Sequence, residues 1–378
     1  MWSFSELRVK RSYLLIFKLN SPPILKAIFS LSKLSLRLPL CGTMNPARVE
    51  ELLRKFSTKR ILVIGDLMLD EFVWGRVSRI SPEAPVPVVE VVRESYYPGG
   101  AANVARNVRE FTPSVSVTGL VGEDVHATKL RRLLAENGIG LDGLQCDPTY
   151  QTIVKTRIIA RQQQVVRVDR ERPQTLSKQG RTETVHKIRE SLPNLDAIIF
   201  EDYGKGLLQQ ELVDEVTSLA RAEGKMVTAD PNPHNRLVWR GMTAVKPNRS
   251  EAFAAANQTW REPGADPLRD GPLLEVGTEL LRLWSPESLL ITLGEQGMIL
   301  FNQHQAPFHV PSRAREVYDL SGAGDTAIAL FTLALVSGAS PSEAAEISNH
   351  ASSVVVGKLG TATLSPQELL ASFLYSNQ

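Results

Sequence analysis

The sequence predicts an α/β protein: a doubly wound, mostly parallel sheet flanked by helices, with a small β-sheet inserted as a lid. Three observations carry this reading. Short, continuous apolar runs recur along the chain, as strands buried on both faces of a parallel sheet require. Stretches of helical periodicity separate them, the pattern of βαβ units. Two further stretches, residues 86–92 and 152–169, are β-rich with period two and have no helix beside them, which fits a separate antiparallel sheet.

The elements follow in order. Residues 1–43 stand outside the pattern. They hold seven basic residues and one acid, Glu6, are rich in serine, and contain no apolar run of the 18 or so residues a membrane helix needs. They read as an extension from an upstream start, with Met44 the true start, or as an organellar transit segment. The remaining unit, 44–378, is expected to be one cytoplasmic domain unless residues 1–43 target it elsewhere. A short amphipathic helix over 48–56 precedes the first strand, 61–64. Further strands are expected at 115–119, 197–200, 226–229, 243–245 and 289–292. Helices are expected at 101–111, 128–137, 178–191, 208–222, 273–283 and 342–356, and the lid strands within about 76–98 and 152–170.

Composition narrows the function. Lys and Arg number 43 and Asp and Glu 41, a net charge of +2. Global charge therefore favours neither nucleic acid nor a membrane surface as partner. The two cysteines, Cys41 and Cys146, are too few for a disulfide scaffold or a cysteine zinc site. His126, His234 and His350 lack metal-ligand spacing and read as surface or capping residues.

Ligands of open α/β sheets bind at the carboxyl ends of the strands. The polar residues that follow the apolar runs are therefore candidates: Asp66 and Asp70 after the first, then Asp202, Asp230, Asn248 and Gly294. Each is also suited to capping or turning the chain, but six at one rim favour a site. The strongest motif is Ser321-Gly322-Ala323-Gly324-Asp325-Thr326 before an apolar helix. Small residues at a helix start leave amides and the helix dipole to bind an anion. An acid there suits proton acceptance from a hydroxyl that attacks a phosphoryl group. A glycine-rich loop with an acid in the first helical turn is the alternative. Pro98-Gly99-Gly100-Ala101-Ala102-Asn103 is a second such motif, either a close backbone approach to a ligand or a turn. Neither Gly-Lys-Ser/Thr nor the dinucleotide fingerprint is present. In the lid, Lys155, Arg157, Arg161 and Arg167 accompany three glutamines, and Lys155 and Arg157 share one strand face. They suit phosphate recognition or form a solvated face.

These motifs, in this order, resemble the ribokinase-like carbohydrate kinase family. Gly99-Gly100…Asn103 and Gly322-Ala323-Gly324-Asp325 resemble its two signatures, Asn248-Arg249-Ser250-Glu251 its Asn-x-x-Glu motif, and the stretch from Thr292 to Gly297 its nucleotide loop. The resemblance covers about residues 58–375. It implies ATP and Mg2+ as cofactors, with room for a monovalent cation. It implies that Asp325 is the catalytic base and that Asp66, Asp70, Gly99, Gly100 and Asn103 hold the sugar. Lys155, Arg157, Gln163, Arg167 and Asp202 join the substrate side. Asn248, Thr292, Gly294, Gly297, Gly322, Ala323, Gly324 and Asn349 serve ATP, and Glu251 the metal.

Within the family, the stretch Ser81-Pro82-Glu83-Ala84-Pro85-Val86-Pro87 and Asp202-Tyr203-Gly204-Lys205-Gly206 resemble the kinases of D-glycero-β-D-manno-heptose 7-phosphate. The implied reaction is phosphorylation at O1, giving the 1,7-bisphosphate for ADP-heptose and lipopolysaccharide core synthesis. Implied partners are a sugar phosphate and ATP, a second copy through the lid, and a separate adenylyltransferase, since no His-x-Gly-His motif is present. Two positions depart from the pattern: Asn232 replaces a common lysine and Glu201 a common small residue. Another sugar or nucleoside kinase, or a sugar-binding regulator without catalysis, are the alternatives.

Overall fold

Ile61, Leu62, Val63 and Ile64 are all buried, and successive side chains enter two different apolar clusters: Ile61 and Val63 one, Leu62 and Ile64 the other. This is the signature of a strand covered on both faces. The computed structural model describes residues 44–160, 163–314, 317–358 and 360–375. The expected extension, 1–43, and Arg161 and Gln162 of the lid lie outside these residues.

The chain passes through α1 (Pro46–Phe56), β1 (Arg60–Gly65), β2 (Leu67–Ile80), β3 (Pro87–Gly100), α2 (Ala101–Arg109), β4 (Ser114–Val121), α3 (Val125–Glu136) and β5 (Gly140–Cys146). Then come β6 (Ile153–Ala160), β7 (Gln163–Arg170), α4 (Lys178–Ser191), β8 (Ala197–Glu201), α5 (Gln210–Ala222), β9 (Met226–Asp230) and β10 (Ala244–Val245). The last part holds α6 (Arg249–Ala255), α7 (Gly271–Trp284), β11 (Ser288–Thr292), β12 (Met298–Asn302), β13 (Phe308–Val310), α8 (Ala323–Val336), α9 (Pro341–Val355) and α10 (Pro366–Tyr375).

Nine strands form the main sheet, in the order β13-β12-β11-β10-β9-β8-β1-β4-β5. The pairs from β11 to β5 are parallel, while β12 and β13 add an antiparallel edge. Helices cover both faces. One cluster gathers Leu52, Val104, Leu130, Leu330, Ile347 and Leu369. The other gathers Ile188, Val216, Phe253 and Leu280. Helix α8 is apolar on all sides and buried from Asp325 to Leu335, so it runs through the core rather than over the surface. That placement carries an acid into the interior.

The second sheet, β3-β2-β6-β7, has four strands. β6 and β7 lie within the expected 152–170, whereas β2 and β3 reach beyond the expected 76–98. The first begins at Leu67, not near residue 76, because β2 leaves β1 after a single residue, Asp66. Leu67, Met68 and Leu69 are buried and therefore lack the polar alternation of a one-sided sheet. His350 also departs from expectation. It is buried, its ring lies 3.7 Å from that of Phe373, and Nδ1 pairs with the Ser372 hydroxyl at 3.0 Å. Among the described residues, no helix is long and apolar enough to cross a membrane.

Candidate active site

At the carboxyl ends of the central strands lies a cavity of about 550 Å³. Strand β8 supplies Glu201 and the residues after it, Asp202 and Tyr203. Strand β9 supplies Asp230, and the segment after β10 supplies Lys246 and Asn248. Thr292 ends β11, Gly294 follows it, and Gly322, Gly324 and Asp325 open α8. The rim candidates Asp202, Asp230, Asn248 and Gly294 thus meet the motif residues Glu251, Thr292, Gly322, Gly324 and Asp325 at one place, with Ala323 between the two glycines.

The start of α8 is shaped for an anion. Gly322 has φ of 82°, and no side chain caps the helix. A Cβ on Gly322 would lie 2.9 Å from Asn103 Nδ2, so only glycine fits there without strain. Asp325 is 6% exposed. Asn103 Nδ2 donates to its Oδ2 at 2.6 Å, and the Tyr203 hydroxyl donates to its Oδ1 at 3.0 Å. Burial raises its pKa above the ordinary Asp value, against the pull of these two hydrogen bonds.

Around it sits a surplus of acid. Lys246 Nζ lies 2.7 Å from Asp230 Oδ2, and both are buried. Glu201 is buried, and its Oε2 has no partner. Desolvation, then the nearby Asp230, raises its pKa well above the usual range. Burial likewise pushes Asp202 up to about 7. Glu251 caps α6, its Oε2 accepting from the Asn248 amide at 2.7 Å, while Asn248 Oδ1 accepts from the Glu251 amide at 2.9 Å. Among the described residues, no group of three His, Cys, Asp or Glu converges as a metal cage. The donor set nonetheless fits Mg2+, which takes one or two carboxylates and fills its shell with phosphate oxygens and water. Glu251 and the unpartnered Glu201 oxygen are the residues that would hold it.

The residues expected on the sugar side connect to this cavity through Asn103, which reaches Asp325. Gly99 lets the Asp70 carboxylate approach its backbone, and Gly100 (φ 59°) leads into α2. Asp70 forms an ion pair with Arg157, whose guanidinium also covers the Phe72 ring at 5.2 Å. Lys155 and Arg167 have acids of their own. Lys155 lies 3.3 Å from Asp169 and 3.4 Å from Glu171, and Arg167 grips Asp169 at 2.8 and 3.0 Å. Four expected ligands sit apart from the cavity. The Asp66 carboxylate accepts the amides of Tyr203 (3.0 Å), Lys205 (2.9 Å) and Leu207 (3.3 Å), so it closes a turn. Asn349 is buried, and its amide donates to the Pro311 carbonyl at 2.8 Å. Gln163 stands exposed at the tip of the β6–β7 hairpin. Gly297 has φ of 88° and lies against the Val310 carbonyl, so it shapes the turn between β11 and β12.

Tyr203 and Lys246 line the site and were not selected from sequence as ligands. Lys246 stands two positions before Asn248 at the end of a strand, so the same rim rule extends to it.

Comparison with known proteins places this geometry. Residues 58–368 match the family model of pfkB family carbohydrate kinases. Bifunctional protein HldE of Desulfatibacillum aliphaticivorans is 40% identical over 316 residues, covering 84% of this chain and 63% of that protein. Bifunctional protein HldE of Citrifermentans bemidjiense is 40% identical over 329 residues, covering 87% and 66%. The chain thus spans just under two thirds of the length of these curated relatives. Phosphofructokinase-2 from Escherichia coli, in complex with potassium, superposes with a TM-score of 0.66 at 17% identity over 85% of this chain and 100% of that one. Ribokinase from Arabidopsis thaliana, complexed with ribose and ATP, gives 0.63 at 19% identity over 84% and 99%. These structures share the fold, a mostly parallel sheet with a second small sheet. With the family match over most of its length, the chain belongs to the pfkB family of carbohydrate kinases.

Proposed function

We propose that this sugar kinase transfers the γ-phosphoryl group of ATP to O1 of D-glycero-β-D-manno-heptose 7-phosphate, giving the 1,7-bisphosphate. The observation that carries the chemistry is Asp325: a buried carboxylate beside an uncapped helix start, with each oxygen held by one donor. Burial strengthens it as a base, and Asn103 and Tyr203 fix where its lone pairs point. The amides at the start of α8 receive the phosphoryl oxygens, and the turn at Gly294 carries the rest of the nucleotide. Magnesium, when bound, neutralises phosphate charge, with Glu251 and Glu201 as its protein oxygens.

The choice of a phosphorylated sugar rests on the lid. Lys155, Arg157 and Arg167 lie on β6 and β7 beside Asp70. Their ion pairs leave a substrate phosphate to compete with Asp70 and Asp169 for the same cations. The heptose itself is favoured by the sequence resemblance. The product would feed ADP-heptose and lipopolysaccharide core synthesis through an adenylyltransferase step. A second copy docking on the lid would cover Val91, Val92, Val165, Val166 and Val168, which are exposed on its strands. The kinase unit is residues 44–378.

The test is ATP consumption against heptose 7-phosphate, fructose 6-phosphate, free hexoses and nucleosides, with and without Mg2+ and K+. Preferred turnover of the heptose phosphate is expected. Preference for an unphosphorylated sugar or a nucleoside would refute the substrate assignment. Tight sugar binding without turnover would refute the kinase reaction itself.

A further inference from the structure

We propose that Lys246 is a catalytic residue of this site, its ammonium contacting the phosphoryl group as it passes from nucleotide to acceptor. The inference rests on the phosphoryl-transfer reading above and assigns that reaction a group it lacked.

Lys246 follows β10, and its amide donates to the Ala229 carbonyl at 2.9 Å, which fixes its backbone at the strand ends. The residue is 2% exposed, yet it lines the cavity with Gly324 and Asp325. A Cβ built on Gly324 would lie 3.5 Å from Lys246 Nζ and 3.9 Å from Asp230 Oδ2. The ammonium is therefore about one atom's width from the turn that opens α8, beside the expected position of the transferred group. Asp230 Oδ2 accepts from one of its three N–H groups, at 2.7 Å. An ammonium has three donors, so two remain for a ligand.

Energetics favour a functional reason for this pair. A buried Lys–Asp pair gains little over an apolar pair of the same volume, because desolvation offsets the attraction. Stability alone does not require it. Burial works against the ammonium, while Asp230, then Glu251 and Glu201, shift its pKa upward. Phosphoryl transfer spreads negative charge over three equatorial oxygens, and a compact ammonium held in a dry site is a strong stabiliser of such charge. Asp230 orients that ammonium, and Gly324 keeps the space between it and the helix start open.

The experiment compares Lys246→Met with the double variant Lys246→Met/Asp230→Asn, which removes both charges and so avoids stranding a buried carboxylate. Two readouts are taken: kcat with the best acceptor sugar, and affinities for ADP and for a non-hydrolysable ATP analogue by calorimetry. In both variants kcat should fall at least tenfold, and about a hundredfold if Lys246 equals one oxyanion donor. ADP affinity should stay within about threefold, while the preference for the triphosphate analogue over ADP is lost. A double variant that keeps kcat within tenfold of the unaltered protein, or keeps its triphosphate preference, overturns the assignment. A parallel loss of ADP affinity also overturns it, because Lys246 would then serve the nucleotide or the fold in general. If the unaltered protein turns over no sugar, the kinase reaction fails, and the triphosphate preference still decides the role of Lys246.

Discussion

Replacing Asp325 by Asn tests the centre of the mechanism with almost no change of shape. In the native site Oδ2 accepts from the Asn103 amide at 2.6 Å and Oδ1 from the Tyr203 hydroxyl at 3.0 Å. An Asn side chain keeps the first bond if its oxygen faces Asn103. Its amide then faces Tyr203, whose hydroxyl must turn from donor to acceptor. The rearrangement loses at most one hydrogen bond, about 1 kcal/mol, and it also removes a buried charge, so the fold is expected to survive with a melting temperature near that of the unaltered protein. Catalysis is another matter, because Asn cannot take the hydroxyl proton. Removing a general base lowers rates by about 10²–10⁴-fold, or roughly 3–5 kcal/mol of barrier. The loss should fall on kcat, since the carboxylate acts in the transition state. ATP affinity should hold or rise, because a negative charge next to the phosphates is gone. Steady-state kinetics and calorimetry on the same preparation provide both numbers. The wild-type kcat should also decline as pH falls through the raised pKa of Asp325, and that limb should vanish in the variant. A variant retaining more than about a third of kcat, far outside the range for a lost base, would reduce Asp325 to a helix-terminal acid and undo the reaction scheme.

Three other outcomes are expected. Arg157→Ala should raise the KM for a sugar phosphate about ten- to a hundredfold, as loss of a charge-assisted bond of about 1.5–3 kcal/mol implies, with ATP affinity unchanged; equal kinetics would mean that Arg157 only neutralises Asp70. His350 has its pKa lowered to about 4 by burial, so its neutral form contributes stability that is present above about 6.5 and lost as pH falls towards 4, about 3 kcal/mol at most. Thermal melts across that window should show the decline, and His350→Phe should flatten it. A chain beginning at Met44 should melt and turn over like the full chain, and failure of that chain to fold would refute the domain boundary.

Much of the architecture was legible because burial leaves a plain mark on composition. Strands such as 61–64 and 197–200 must be apolar throughout when helices cover both faces, and helix 178–191 appears with the bounds its periodicity predicts. The lid's first strand was not legible for the same reason. Its root, Leu67 to Leu69, is buried and merges with β1, so the alternation that marks a one-sided sheet starts only further out. Strand β10 has two residues, too few for any period. In the site, rim position and glycine spacing selected Asp325 and its loop, whereas charge cancellation is invisible in one dimension. Nothing in the order of residues says that Asp70 and Asp169 hold the lid cations, or that Asp66 is spent on three backbone amides.

The single-residue link between the main sheet and the lid sets a mechanical relation between substrate contact and enclosure. Strand β2 has 14 residues, an arm of about 45 Å at 3.3 Å per residue, rooted at Asp66 and irregularly paired with β3 at Trp74–Gly75 and Val77–Arg79. Asp70 is only four residues from that root, and Gly99 and Gly100 close the returning strand beside it. Were the arm to swing by about ten degrees, its tip near Ile80 would travel about 8 Å and Asp70 about 2 Å. On the proposed sugar-binding role of Asp70, residues at the root would then grade a sugar by fine fit while the far end sweeps water aside. Changes near the tip should then alter how fast the cleft opens and shuts, and changes at the root should alter which molecule it accepts.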